Sequence, residues 1–361
     1  MHSLQYAQKF IKNSSSFFVN STQNYVLGLL LSTGNKNCSA MSSNLEIPYH
    51  RIYKYYDVFE EQKTAIKESL ACLARLHATK ENPGVLIVDT TQIKKLYSKK
   101  MKFLCYDFNG SMKMVLRGIS CVTTAWCNGK ILIPLDFNFW VRKKDLKDGR
   151  KYRKKTKISQ ELILEWKDKV PFSYISLDGD YGNEEFLKFL HEHELKYSIR
   201  MPGNRKVVIG EGPEIVLKNQ PLFQLKRNER YKKTKCFYKG IATNVISQKR
   251  KGPRNTKQTV FIVSNLENLS PKEHVEAFNL RWPIEKMFRS LKQHLGLEQC
   301  QSTSTKKQRA HIFATFLAFA ELEIQKINKK KKSPEEVLKI IRVQNQRKIN
   351  RSIALQEGFI M

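Results

Sequence analysis

Val85-Leu86-Ile87-Val88-Asp89 is a short apolar run closed by a carboxylate. Pro83 marks a change in the character of the chain, and the run reads as a buried strand that ends at Asp89. Phe172-Ser173-Tyr174-Ile175-Ser176-Leu177 repeats the pattern and ends at Asp178. Between them, Lys113–Thr124 and Lys130–Leu135 are β-rich and flank Asn128-Gly129, a strong hairpin turn. Ile158–Lys167 and Asn183–Glu194 read as helices. The order strand, hairpin, helix, strand, helix predicts an α/β sheet of three antiparallel strands followed by a parallel one. Such an order sets the first and last strands side by side, so Asp89 and Asp178 meet at one edge.

The composition narrows the partners. The chain has 361 residues, with 65 Lys or Arg against 33 Asp or Glu, a net charge of +32. Hydrophobic residues make up 41%, which supports a packed core and excludes a disordered basic tail. Near the N-terminus the longest apolar stretch, Tyr25–Leu31, has seven residues, whereas a membrane helix needs about 20. No secretion signal is visible, so a cytoplasmic protein is expected. A surplus of this size repels itself unless a polyanion neutralises it, and nucleic acid is the leading polyanion. The seven cysteines form no Cys-x-x-Cys pair, which argues against a zinc ribbon and a disulfide scaffold. His191 and His193 belong to a helical stretch and read as a solvated face rather than a metal site.

Residues 1–78 read as helical: Asn24–Ser32, Ser39–Leu45 and Tyr49–Phe59, broken at Gly34-Asn35 and at Pro48. Two short helices with His50, Arg51 and Lys54 on the second fit a helix-turn-helix reader of DNA. A plain helical bundle with a basic surface would look the same. Arg142–Lys157 holds ten basic residues against Asp145 and Asp148 and reads as a loop facing phosphate. Residues 196–266 look β-rich, at Lys206–Gly210, Lys235–Ser247 and Gln258–Val263, with a Gly252-Pro253 break. They carry basic clusters at 226–235 and at 249–254. Helix returns at Pro271. Ala310–Ile327 is long and apolar, and Ser333-Pro334-Glu335-Glu336 opens a last helix.

Phe278-Asn279-Leu280-Arg281-Trp282-Pro283-Ile284-Glu285-Lys286-Met287-Phe288-Arg289-Ser290-Leu291-Lys292 carries the chemistry. At helical spacing Arg281, Glu285, Phe288 and Lys292 share one face, and Ile284, Met287, Leu291 and Leu295 form a separate apolar stripe. A carboxylate thus lies between two cations on a face not needed for packing. Surface salt bridges worth about 0.2–0.5 kcal/mol each would use the same residues. Pro283 either starts the helix or kinks it. Trp282 is expected to pack in the core, with stacking on an unpaired base as the alternative.

Arg-x3-Glu-x6-Lys, preceded by an aromatic, resembles the Tyr-x2-Arg-x3-Glu-x6-Lys signature of one large insertion-sequence family of DDE transposases. Leu-Ile-Val-Asp89-Thr-Thr is similar to that family's first acidic motif, and Leu-Asp178-Gly-Asp-Tyr to its second. The signature's Tyr is Phe278 here. The resemblance implies a ribonuclease H-like α/β core. It divides the chain into an N-terminal helical DNA-binding region (1–78), the first part of the core (79–195), a β-rich insertion (196–267), the second part with the acidic helix (268–328) and a basic helical tail (329–361). It implies that Asp89, Asp178 and Glu285 are a catalytic triad holding two Mg²⁺ ions, or Mn²⁺. Asp180 is the rival for the second position. The resemblance also implies DNA contacts from Arg281, Lys292, Phe278 and Arg289, in addition to those of His50, Arg51 and Lys54. The expected partners are the terminal inverted repeats and target DNA, bound as a homodimer without any membrane, with the protein associated with the nucleoid. A non-catalytic DNA-binding regulator, an inactive transposase copy and a basic protein of an RNA particle are the rival functions. The three carboxylates should converge on one site.

Overall fold

The computed structural model describes residues 20–356, apart from 111, 147, 148, 150 and 252–256. Asp148, Arg254 and the expected Gly252-Pro253 break lie outside the described residues.

Three helices come first: α1 (Asn20–Leu31), α2 (Cys38–Leu45) and α3 (Tyr49–His77). Asn37 caps α2 by accepting from the Ala40 N–H, and Glu46, at φ 54°, turns the chain out of it. The third helix does not stop near Phe59 as expected but runs 29 residues. Ile66, Leu70 and Ala74 continue the buried stripe of Ile52, Tyr55 and Phe59, so packing carries the helix on. These helices share the main core: Tyr55 donates from its hydroxyl to the Ala310 carbonyl at 2.7 Å.

The described strands form a nine-stranded mixed sheet. β1 (Val85–Lys94) pairs antiparallel with β3 (Met114–Cys127) and parallel with β5 (Tyr174–Leu177). β3 is long enough to hold two strands on its other edge, β2 (Leu104–Asn109) along its first half and β4 (Leu132–Trp140) along its second. Beyond β5 lie β6 (Tyr197–Met201), then β11 (Lys257–Ser264), β10 (Ile241–Lys251) and β9 (Tyr231–Tyr238). The β-rich stretch after residue 196 therefore prolongs the same sheet through Ile262 opposite Arg200. Only β7 (Lys206–Val207) and β8 (Ile215–Val216) pair apart from it among the described strands.

Strand β1 does not end at Asp89; it continues to Lys94 in unbroken register with β3. Its polar residues are accommodated there, as when Gln92 Nε2 donates to the Leu116 carbonyl at 2.6 Å. What ends at Asp89 is the parallel ladder, whose last rung is Val88 opposite Leu177. Asp89 and Asp178 are the next residues on two neighbouring parallel strands, and this juxtaposition builds the site.

Both faces of the sheet are covered. Helix α4 (Lys155–Trp166) packs on β3 and β4. Asp136 of β4 accepts from its Trp166 indole at 3.4 Å and pairs with Lys67 of α3 at 2.5 Å. The adjacent Phe137 points to the opposite face, its ring 5.2 Å from that of Phe313 on α8 (Thr305–Asn328). Helix α5 (Glu184–Glu192) links β5 to β6, and α9 (Pro334–Gln356) packs on α8.

Two helices lead into the site. Helix α6 (Pro271–Asn279) opens with a capping box in which Ser270 and Glu273 satisfy each other's backbone N–H groups. Helix α7 (Pro283–Gln293) has Pro283 at its first position, so the proline starts this helix rather than kinking one. Ile284, Met287, Leu291 and Leu295 are completely buried, each a contribution of about 1.5–3 kcal/mol. That stripe fixes which face of α7 turns toward β1.

Candidate active site

Arg281 joins two of the three expected acids. One terminal nitrogen donates to Asp89 Oδ2 at 2.9 Å, and the other donates to Glu285 Oε1 at 2.7 Å. The residues are 192 and 4 positions apart in sequence, so the bridge ties β1 to the first turn of α7. The Arg281 side chain is 7% exposed. Burial opposes its charge, but Asp89, Asp178 and Glu285 together hold its pKa above the ordinary value. Asp178 follows β5 directly and acts on both Asp89 and Arg281. Two of the three carboxylates thus hold one guanidinium, and the charge of the third acts on it.

Their environments differ. Burial pushes Asp89 up to about 7, against the pull of Arg281 and a bond from the Thr90 N–H, and the charges of Asp178 and Glu285 add to the rise. Glu285 is 39% exposed on its side chain. It stands in the first turn of α7, where unpaired N–H groups favour a carboxylate. Asp180, the rival second acid, is exposed and faces an open groove of about 720 Å³ with Lys155, Arg205 and Lys239. Asp178, not Asp180, acts electrostatically on Asp89 and Arg281. Tyr181 is buried, with its hydroxyl 3.3 Å from Thr90 Oγ1, so the second acidic segment braces the residue after Asp89.

The other expected contacts divide by exposure. Lys292 is half-buried, and burial lowers its pKa despite Glu298 nearby. Arg289 is exposed. Phe278 is buried with Ile246, Ile262 and Val275, and Arg281 lies 5.7 Å over its ring. It props the arginine from behind instead of reaching out. Phe288 is buried too, so the polar face of α7 is narrower than its spacing suggests. Trp282 corrects an expectation: it is 41% exposed rather than in the core, because the α6–α7 junction turns it outward. Arg250 of β10 stacks over it at 5.7 Å and donates to Asn279 at 3.3 Å. The spacing of α7 contains no signal for that strand's arrival beside Trp282. His50, Arg51 and Lys54 are exposed on the first turns of α3.

Much of the basic stretch 142–157 is internally neutralised. Arg142 pairs with Asp145, Arg153 with Glu161, Lys154 with Glu185 and Lys155 with Asp107. The two later clusters are neighbours, since Lys249 donates to the carbonyls of Lys226 and Arg227.

Three carboxylates offer the hard oxygen donors that a divalent cation such as Mg²⁺ prefers. Arg281 already supplies positive charge between two of them. Among the described residues no three His, Cys, Asp or Glu side chains stand in metal-holding geometry. The donor chemistry fits such an ion, with the guanidinium in the position of a counter-ion.

Residues 16–227 match the family model described as DDE superfamily endonuclease, and residues 141–320 match that of the transposase DDE domain. The first match covers Asp89 and Asp178, the second Asp178 and Glu285, and they overlap from 141 to 227. With more than half the chain inside the first match, the protein belongs to the DDE superfamily of endonucleases. The second match makes it a transposase of that superfamily. No curated protein matches the chain. No helix among the described residues is long and apolar enough to cross a membrane.

Proposed function

We propose that the protein is an insertion-sequence transposase that binds terminal inverted repeats, cuts at the element ends and joins them to target DNA. Asp89, Asp178 and Glu285 are its acidic triad. The observation that carries this reading is the Arg281 bridge between Asp89 and Glu285, with Asp178 acting on the same guanidinium. A structural ion pair needs one carboxylate; two on one guanidinium, with a third at the end of the neighbouring parallel strand, suit a site for phosphodiester chemistry. The strand order supports a ribonuclease H-like core, with antiparallel strands on one side of β1 and parallel β5 and β6 on the other.

The three acids would hold divalent metal, which when bound activates the attacking oxygen and stabilises the leaving one. The chain's own residues do the rest. Arg281 keeps Asp89 and Glu285 oriented toward each other. Lys292, two turns along α7 from Glu285, and exposed Arg289 bind phosphate near the cut. Exposed Trp282, with half-buried Arg250 stacked over it, offers a surface for an unpaired base. His50, Arg51 and Lys54 lie at the positive end of α3 and reach the end sequence. The paired ends of an element call for a homodimer on the DNA, acting at the nucleoid.

The test is nicking of labelled end DNA with Mg²⁺. Asp89→Asn and Asp178→Asn should each abolish nicks while gel-shift affinity stays within a few fold. Asp180→Asn should keep nicking. Loss of nicking only in Asp180→Asn would reassign the second acid, and wild-type nicking by Asp89→Asn would leave a DNA-binding regulator.

A further inference from the structure

Exposed apolar side chains are concentrated in one place. Of sixteen large hydrophobic residues that stand exposed among the described residues, seven fall between Leu96 and Val115. The hairpin β2–β3 supplies most of them. In its register Tyr106 faces Arg117 and Phe108 faces Val115, so these four side chains share one face. Phe108 is 61% exposed and Val115 55%. Arg117 and Arg142 lie 6.0 Å and 5.7 Å from the centre of the Tyr106 ring.

The hairpin is an arm that outruns the sheet. Strand β1 ends with Lys94 opposite Gly118, so Met114–Arg117 lie past its end. A Cβ at Gly118 would collide with the Ile93 carbonyl oxygen, which makes glycine the residue that lets the arm leave so close to β1. Arg117 and Thr123 have the same parity on β3, and Thr123 is opposite Asp89. The aromatic face of the arm is therefore on the same face of the sheet as Asp89.

Charge selects the occupant. From Leu96 to Arg117 the sequence has five Lys or Arg and one acid, Asp107. Asp107 points to the other face, where Ser120 donates to it at 2.7 Å and Lys155 pairs with it at 2.9 Å. A second copy seated symmetrically would bring like cations together. Strand addition along the edge is obstructed, because Asp145 accepts from the Tyr106 N–H at 3.2 Å. Cations around exposed rings, on the face that carries the acids, suit phosphates flanking bases.

We propose that the β2–β3 arm is a second DNA contact, with Arg117 on phosphate and Phe108 and Tyr106 against bases. Its reach follows from strand geometry. Thr123 to Arg117 and Val115 is six to eight residues, or about 20–27 Å at ~3.4 Å each. That equals about six to eight base pairs of duplex from the cut, at ~3.4 Å per pair. The placement rests on the reading of Asp89 as lying at the cut.

The experiment crosses two variants with two DNA lengths in gel-shift titrations. Phe108→Ser and Phe108→Ser/Val115→Ser alter exposed positions, and unchanged thermal melts verify folding. On a duplex reaching 15 base pairs past the cut, affinity should fall about tenfold, as expected when a stacked base contact is lost. On a duplex ending four base pairs past the cut, variants and wild type should bind alike, and Phe108→Trp should restore binding to the long duplex. Equal loss on both lengths, or none on either, overturns the proposal. So does a DNA-independent dimer that the variants dissociate, or capture by anionic phosphatidylserine vesicles that the variants lose, if binding to both duplexes is unchanged. Binding needs no cleavage, so a length-dependent loss in a chain that never nicks with Mg²⁺ would refute the catalytic reading and leave the arm standing.

Discussion

At the scale of single residues, the site depends on one buried cation. Arg281→Met removes the counter-ion from Asp89 and Glu285 and leaves a mostly buried carboxylate unpaired. The expected loss is about 3 kcal/mol, at the lower end for a broken buried pair because Glu285 is partly exposed. Urea denaturation measures it, and Arg281→Met/Asp89→Asn should recover part of the loss through coupling. A single-variant cost below about 0.5 kcal/mol, the level of an ordinary surface change, would mean the bridge is incidental. His311 provides the pH dependence. Its Nε2–H donates to the Gly296 carbonyl at 2.7 Å, and its Nδ1 accepts from Tyr25 at 2.8 Å. Tyr56 lies 2.6 Å from the same Tyr25 hydroxyl. Burial lowers His311 to about 4, so the folded protein holds the neutral ring where the unfolded chain would bind a proton. The contribution of His311 is therefore full above about 6.5 and falls as pH drops toward 4, by about 3 kcal/mol in total. Urea titrations at pH 7 and pH 4.5 should show this slope flattened in His311→Phe; an equal slope in both would assign the loss to other groups.

At the scale of elements, α7 separates chemistry from packing. Glu285→Gln keeps shape at an exposed first-turn position and should cost under about 1 kcal/mol, the usual worth of a charge at a helix N-terminus. Nicking should vanish, with end binding intact or slightly tighter. Met287→Ala, two residues on and on the buried stripe, should cost about 2–5 kcal/mol while the properly folded fraction still cuts. Melting curves and nicking on the same preparations distinguish the two. If Glu285→Gln still nicks near the wild-type rate, Glu276 or Glu298 has to be tested as third acid. The apolar stripe was legible because period and burial coincide at Ile284, Met287, Leu291 and Leu295. Strands β2 and β6 were not. Leu104–Asn109 mixes exposed rings with Asp107, and Tyr197–Met201 includes Arg200, so neither has an apolar run to announce it. The exposure of Trp282 was hidden for another reason. Side-chain direction at a helix junction is set by the turn of the chain, and residue type alone points to the core.

At the scale of the whole molecule, the charge of +32 should govern affinity. Each phosphate neutralised adds roughly 0.7–0.9 to the slope of log affinity against log salt. Cations already paired within the protein, such as Arg153 and Lys154, should add little. Neutralising Lys154 together with its partner Glu185 should leave the slope unchanged, whereas Arg289→Ala should reduce it by about one contact. A fall of about 0.7–0.9 on neutralising Lys154 would show that DNA opens that ion pair. The central strand order was legible from the two runs ending in Asp89 and Asp178 and from the Asn128-Gly129 turn. The union of the later strands with the same sheet was not, because pairing partners far apart in sequence leave no local mark. The Arg281 bridge has a consequence for the life of the chain as it is made. Asp89 and Asp178 emerge from the ribosome together with their strands, but Arg281 and Glu285 follow more than 100 residues later. At about 5–20 residues per second, that delay is roughly 5–20 seconds. On the proposed function, a nascent protein throughout that delay has strongly basic segments and no complete acid set, so it would hold DNA before it could cut.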